Sequence, residues 1–179
     1  MELISRSKLL VWGRDIAMKQ KVKEDLKNAL LQGDALKTGT LRMLLAALLN
    51  KEKEKRYTLS KENPDFQEEE LIKNSELSDE EFLQAVSSEA KKRKEAFEAF
   101  EKGGRRESAE KEKKEMEILQ AYLPEQLSEE EIRRLAKETI EKIGARPKDA
   151  GQVMKELMPK LRGKADGALV SAIVKKMLG

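Results

Sequence analysis

Residues 151–179 read "GQVMKELMPKLRGKADGALVSAIVKKMLG". Val153, Met154, Leu157 and Leu161 recur at helical spacing, as do Leu169, Val170, Ile173, Val174, Met177 and Leu178, so the stretch predicts two helices, each with one apolar stripe. Gly163 is a good stop for the first, and the Asp166 carboxylate can cap the second. Pro159 falls inside the first helix. It has no N–H for the Lys155 carbonyl and its ring crowds that turn, so a bend is expected that tips Lys160, Arg162 and Lys164 outward.

Working outward, the same period recurs. Ser128 and Glu131 form a capping box ahead of Ile132, Leu135, Ala136, Thr139, Ile140 and Ile143, with Gly144 as terminator and Pro147 opening the next helix. A second capping box, Ser78 and Glu81, precedes Phe82, Ala85, Val86, Ala90, Phe97 and Phe100. Gly103-Gly104 then turns the chain into an arm carrying Ala109, Met116, Leu119 and Leu123, so Phe82 to Leu123 reads as a long helical hairpin. Upstream, Val22, Leu26, Ala29 and Leu30 precede Gly33-Asp34, and Leu41, Leu44, Leu45, Leu48 and Leu49 make the next stripe. Two antiparallel helices are expected within residues 19–57. The acidic stretch Leu59–Glu76, with Asn63-Pro64, reads as a loop holding one short helix, and Glu68-Glu69-Glu70 as its solvated start.

The reading is all-α: a helical N-terminal domain with a long hairpin over 18–127, a small three-helix tail over 128–179, and an extension at 1–17. Composition agrees, since 39% apolar but only 4% aromatic residues must build the core from aliphatic side chains at regular spacing. No strand-like alternation and no internal repeat is found.

The chain contains neither Cys nor His, which excludes disulfides, a thiolate nucleophile, an imidazole base and a Cys/His zinc site. No glycine pattern forms a phosphate-binding loop, and Ser87-Ser88 lies mid-helix without an activating base. No cofactor, no metal site and no membrane span is expected, and the location is expected to be cytoplasmic. Net charge is +3, unevenly spread. Residues 60–89 hold two basic against ten acidic residues, whereas residues 150–179 hold six basic against two. The basic tail points to a polyanionic partner, with Lys160, Arg162 and Lys164 at the hairpin tip, and Lys155 before them, as candidate phosphate contacts. The alternative reading is a tight loop with solvated lysines.

The segments "TLRMLLAALLNKEKEKR" (40–56), "RKEAFEAFEKGGR" (93–105), "EILQAYLPEQLSEEEI" (117–132) and the tail itself resemble the YqeY family, from about Met18 to Leu178. That family is similar to the C-terminal helical and tail region of the B subunit of tRNA-dependent aspartyl/glutamyl amidotransferases. Residues 1–17 precede the family's usual start, and Tyr57–Leu77 is longer than its usual acidic connector. The resemblance implies a stand-alone version of a non-catalytic, tRNA-holding region. Lys160, Arg162 and Lys164 would meet RNA phosphates, Gly163 would stop the helix, Asp166 would hold the turn and Gly167 would allow close backbone approach. It also implies two alternatives: an auxiliary component of a glutamine-dependent carbon–nitrogen ligase acting with partner amidotransferase or tRNA-charging subunits, or a helical protein-interaction module.

Overall fold

The structure is a computed structural model and describes residues 16–179. The extension expected at 1–17 lies outside the described residues, apart from Ile16 and Ala17, which open the first helix. Among the described residues the fold is all-α and holds no strand. Helices α1 (Ile16–Leu31) and α2 (Ala35–Glu62) meet at a tight turn. Gly33 takes φ 70°, a left-handed conformation that costs a Cβ-bearing residue about 1–2 kcal/mol, and the Lys37 N–H donates to Asp34 Oδ1 at 2.9 Å. A part-buried ion pair staples the two helices, with Lys19 Nζ 2.6 and 2.7 Å from the oxygens of the buried Glu52 carboxylate.

The acidic connector is more ordered than the sequence reading expected. Helix α2 runs on to Glu62, because the residues after Tyr57 are compatible with a helix until Pro64 disfavours helical geometry at Asn63. The short helix α3 (Glu68–Asn74) follows, its three first-turn glutamates exposed. It is pinned to α2: Lys55 Nζ donates to the Glu76 carbonyl at 2.9 Å and to Glu81 Oε2 at 2.7 Å, and Arg56 Nε donates to the buried Ser75 hydroxyl at 3.3 Å. Its acidity and Asn63-Pro64 had suggested a loop with one short helix, but basic residues on the last turns of α2 also hold the end of the connector through the Glu76 carbonyl and the Ser75 hydroxyl.

Helices α4 (Asp79–Lys102) and α5 (Arg106–Gln120) form the long hairpin. Its proximal half packs on α1 and α2 around Val22, Leu41, Leu44, Leu48, Phe82 and Val86. Each such buried side chain is worth about 1.5–3 kcal/mol. Phe97 and Phe100, in the distal half, are only half-buried. Leu30 and Leu49, expected on the core stripes, are 50% and 45% exposed. Each flanks its stripe at a position that no third layer of the described residues covers.

After Pro124 the chain builds a second apolar cluster from α6 (Glu129–Ile143), α7 (Ala150–Leu161) and α8 (Gly167–Leu178), with Ile132, Ala136, Val153, Leu157, Val170 and Val174 fully enclosed. Both expected capping boxes form. The Ser78 N–H donates to Glu81 and the Ser128 N–H to Glu131, each at 2.8 Å. Helix α7 continues through Pro159 to Leu161, with Pro159 and Lys155 both on its exposed side.

Candidate functional site

The tip between α7 and α8 is built as the sequence reading expects in two respects. Gly163 has φ +71° just beyond the end of α7. Asp166 Oδ1 accepts from the N–H groups of Ala168 at 2.7 Å and Leu169 at 3.0 Å. These bonds occupy the α8 N-terminal donors with a carboxylate of the chain itself, so an incoming anion would have to meet side chains instead.

In other respects the tip differs from the expected solvent-facing loop, because it is seated on the rest of the molecule. A Cβ on Gly163 would stand 3.3 Å from Pro124 Cδ and 3.4 Å from the Leu83 side chain. The Gly163 carbonyl accepts from Gln126 Nε2 at 2.6 Å, and the Lys164 carbonyl accepts from the Leu127 N–H at 2.8 Å. Within the chain, close backbone approach is made at Gly163, while at Gly167 a Cβ would stand 3.6 Å from the Met158 methyl, an ordinary contact. Arg162 is exposed like its neighbours, but its guanidinium is ion-paired with Glu80 in the first turn of α4. Lys91, farther along α4, reaches Asp166 Oδ2 at 3.5 Å.

Lys155, Lys160 and Lys164 are exposed, as are Lys175 and Lys176 near the end of α8, and none has an ion-pair partner among the described residues. Of the acidic groups near the tip, Glu80 and Asp166 are ion-paired with Arg162 and Lys91, and Asp79 lines a groove beside Arg162 and Lys164. Burial pushes the Asp166 carboxyl up, but the Leu169 and Ala168 N–H groups and the Lys91 ammonium outweigh it and hold the group below its ordinary value. It remains an anion at neutral pH.

A groove of about 360 Å³ separates the tip from α4, with Ser87, Ser88 and Lys91 on one wall and Met158 and Ala168 on the other. Lys91 on that wall makes the ion pair with Asp166. Among the described residues no group of three or more acidic side chains is arranged to hold a metal ion, and no helix is long and apolar enough to cross a membrane.

Glu80, Leu83, Lys91 and Pro124 were missed by sequence reasoning. They lie roughly 40 to 80 residues before the tip, and no local pattern marks them as its seat. The family model for Yqey-like proteins (YqeY) matches residues 47–178, nearly three-quarters of the chain. The chain belongs to the YqeY family. The YqeY match takes in the tail as far as Leu178 and its seat on α4, and it begins inside α2 rather than near Met18, where the resemblance was expected to start. Comparison with curated proteins returned no match.

Proposed function

We propose that this YqeY-family chain is a non-catalytic RNA-binding accessory protein whose α7–α8 hairpin makes phosphate contacts, with tRNA as the ligand. The observation that carries the reading is the set of uncommitted cations on that hairpin. Lys155, Lys160, Lys164, Lys175 and Lys176 are exposed and have no ion-pair partner among the described residues, whereas Glu80 and Asp166 at its tip are engaged. Such lysines act as point charges that neutralise phosphates and release counterions without reading sequence. Arg162 adds a further cation if a phosphate displaces Glu80.

The resemblance of the tail to the tRNA-holding region of an amidotransferase B subunit supports the choice of tRNA. The absence of Cys and His from the chain supports a role in binding rather than in chemistry. Filter binding of labelled tRNA and of labelled duplex DNA, each with the purified chain and in a protein-free control, repeated across salt, tests the proposal. Binding to tRNA that weakens steeply with salt is expected. Equal indifference to both nucleic acids at low salt would overturn it.

A further inference from the structure

Two grooves outside the tip share one residue. The first, of about 340 Å³, runs beside Met18, Leu83, Tyr122 and Pro124 and carries Arg162 and Lys164 on its edge. The second, of about 440 Å³, lies over Leu36, Ile118, Ala121 and the same Tyr122, with Lys21, Lys37 and Lys114 around it. Tyr122, a buried side chain, lines both. Tyr122 is held in place by its hydroxyl, which donates to Asp25 Oδ2 at 2.7 Å.

The charges around this path come from separate parts of the chain. Lys21 is on α1, Lys37 on α2, Lys114 on α5 and Lys164 in the tail tip, so no single helical period brings them together. None of the four has an ion-pair partner among the described residues, whereas Lys19, Lys55 and Arg93, on the same bundle, are paired with Glu52, Glu81 and Glu112. With Arg162, five cations line the two grooves against three carboxylates, Asp25, Asp79 and Glu117, and Asp25 is occupied by the tyrosine hydroxyl. Between the charges, Leu83 and Pro124 line the first groove and Leu36, Ile118 and Ala121 the second.

We propose that the two grooves form one track for a single-stranded RNA segment, running from Lys164 at the tail tip across Tyr122 to Lys21, Lys37 and Lys114. This inference rests on the RNA-binding reading of the tail and extends it onto the first bundle. A cationic rim over an apolar floor suits unpaired nucleotides, whose phosphates meet the lysines while the base faces cover the floor. A duplex presents phosphates outward and would leave that floor uncovered. Lys21 and Lys37 lie before the family-matched span, so this end of the track is a property of the present chain rather than of the matched region.

Fluorescence anisotropy with a labelled, unstructured oligoribonucleotide of about fifteen nucleotides tests the track. The variants are Lys21→Glu/Lys37→Glu/Lys114→Glu for the groove and Lys155→Glu/Lys160→Glu/Lys175→Glu for the tail. The corresponding Lys→Gln sets guard against misfolding, which circular dichroism checks. The groove triple is expected to weaken single-strand binding at least about tenfold. It should also reduce the magnitude of the log K against log salt slope by about 2, since each phosphate contact to a single strand contributes about 0.7. Binding to a blunt RNA duplex should be unchanged in that variant. Wild-type single-strand affinity and slope in a folded groove triple, with loss in the tail triple, would overturn the track and leave the tail reading standing. Displacement of the oligonucleotide by polyglutamate at equal charge concentration would overturn it in favour of an acidic polypeptide. Failure of the wild-type chain to bind any RNA would overturn both readings.

Discussion

The molecule has two helical hairpins whose turns look alike in sequence: "KGGRR" at 102–106 between α4 and α5, and "LRGKADG" at 161–167 between α7 and α8. Both place a glycine at φ near 70° beside basic residues. A Cβ on Gly104 would meet nothing within 4 Å, and the neighbouring Arg105 guanidinium lies over the Phe100 ring, 4.8 Å from its centroid. The tail turn instead sits on Pro124 and Leu83, with Arg162 and Asp166 ion-paired to α4. The same local grammar thus gives a free tip in one hairpin and a docked tip in the other. What separates them lies tens of residues away in the chain.

The largest expected effect comes from alanine at the two glycines. Gly104→Ala should cost about 1–2 kcal/mol from the left-handed backbone alone. Gly163→Ala should cost more, because its methyl must also displace Pro124 or Leu83. Chemical denaturation of both variants checks this, and equal losses would show that the seat of the tail tip yields freely.

Next in size is the exchange of caps. Asp166→Ala removes two N–H bonds and the Lys91 contact and should cost about 1 kcal/mol, whereas Arg105, the α5 N-cap, has no capping side-chain bond. Arg105→Asp should therefore stabilise by a few tenths to about 1 kcal/mol by supplying that acceptor. Thermal melts of the pair would show opposite signs.

The Asp166 carboxyl also gives a pH signature. Its folded value is depressed, so its contribution is fully present above the ordinary aspartate value of 3.8 and is lost as pH falls through the folded value. Asp166→Asn can still cap α8 but has no charge. The stability difference between wild type and Asp166→Asn should shrink as pH falls below the ordinary aspartate value, as measured by urea denaturation across pH. The smallest effect is expected for Arg162→Ala or Glu80→Ala, since an exposed ion pair is worth at most about 1 kcal/mol.

The helices were legible in the sequence because their stripes, capping boxes and glycine stops are local. Ser78–Glu81, Ser128–Glu131, Asp34 and Asp166 each form the cap that their spacing implies. The connector was less legible, since its order depends on Lys55 and Arg56 reaching across from α2. The candidate site was legible in its residues and not in its setting. Lys155, Lys160 and Lys164 are exposed as expected, while the Arg162 pairing and the close approach at Gly163 follow from where α4 and Pro124 come to lie.

The central claim is that the docked tail hairpin, and not the free one, carries the polyanion contacts. Its most direct test is tRNA binding against salt for Lys160→Glu/Lys164→Glu beside Arg105→Glu/Arg106→Glu, two reversals of equal charge at the two tips. The tail reversal should weaken binding strongly and flatten the salt slope by up to about 2, with the other reversal close to wild type. Equal losses in both variants, or an unchanged slope in the tail variant, would contradict the account.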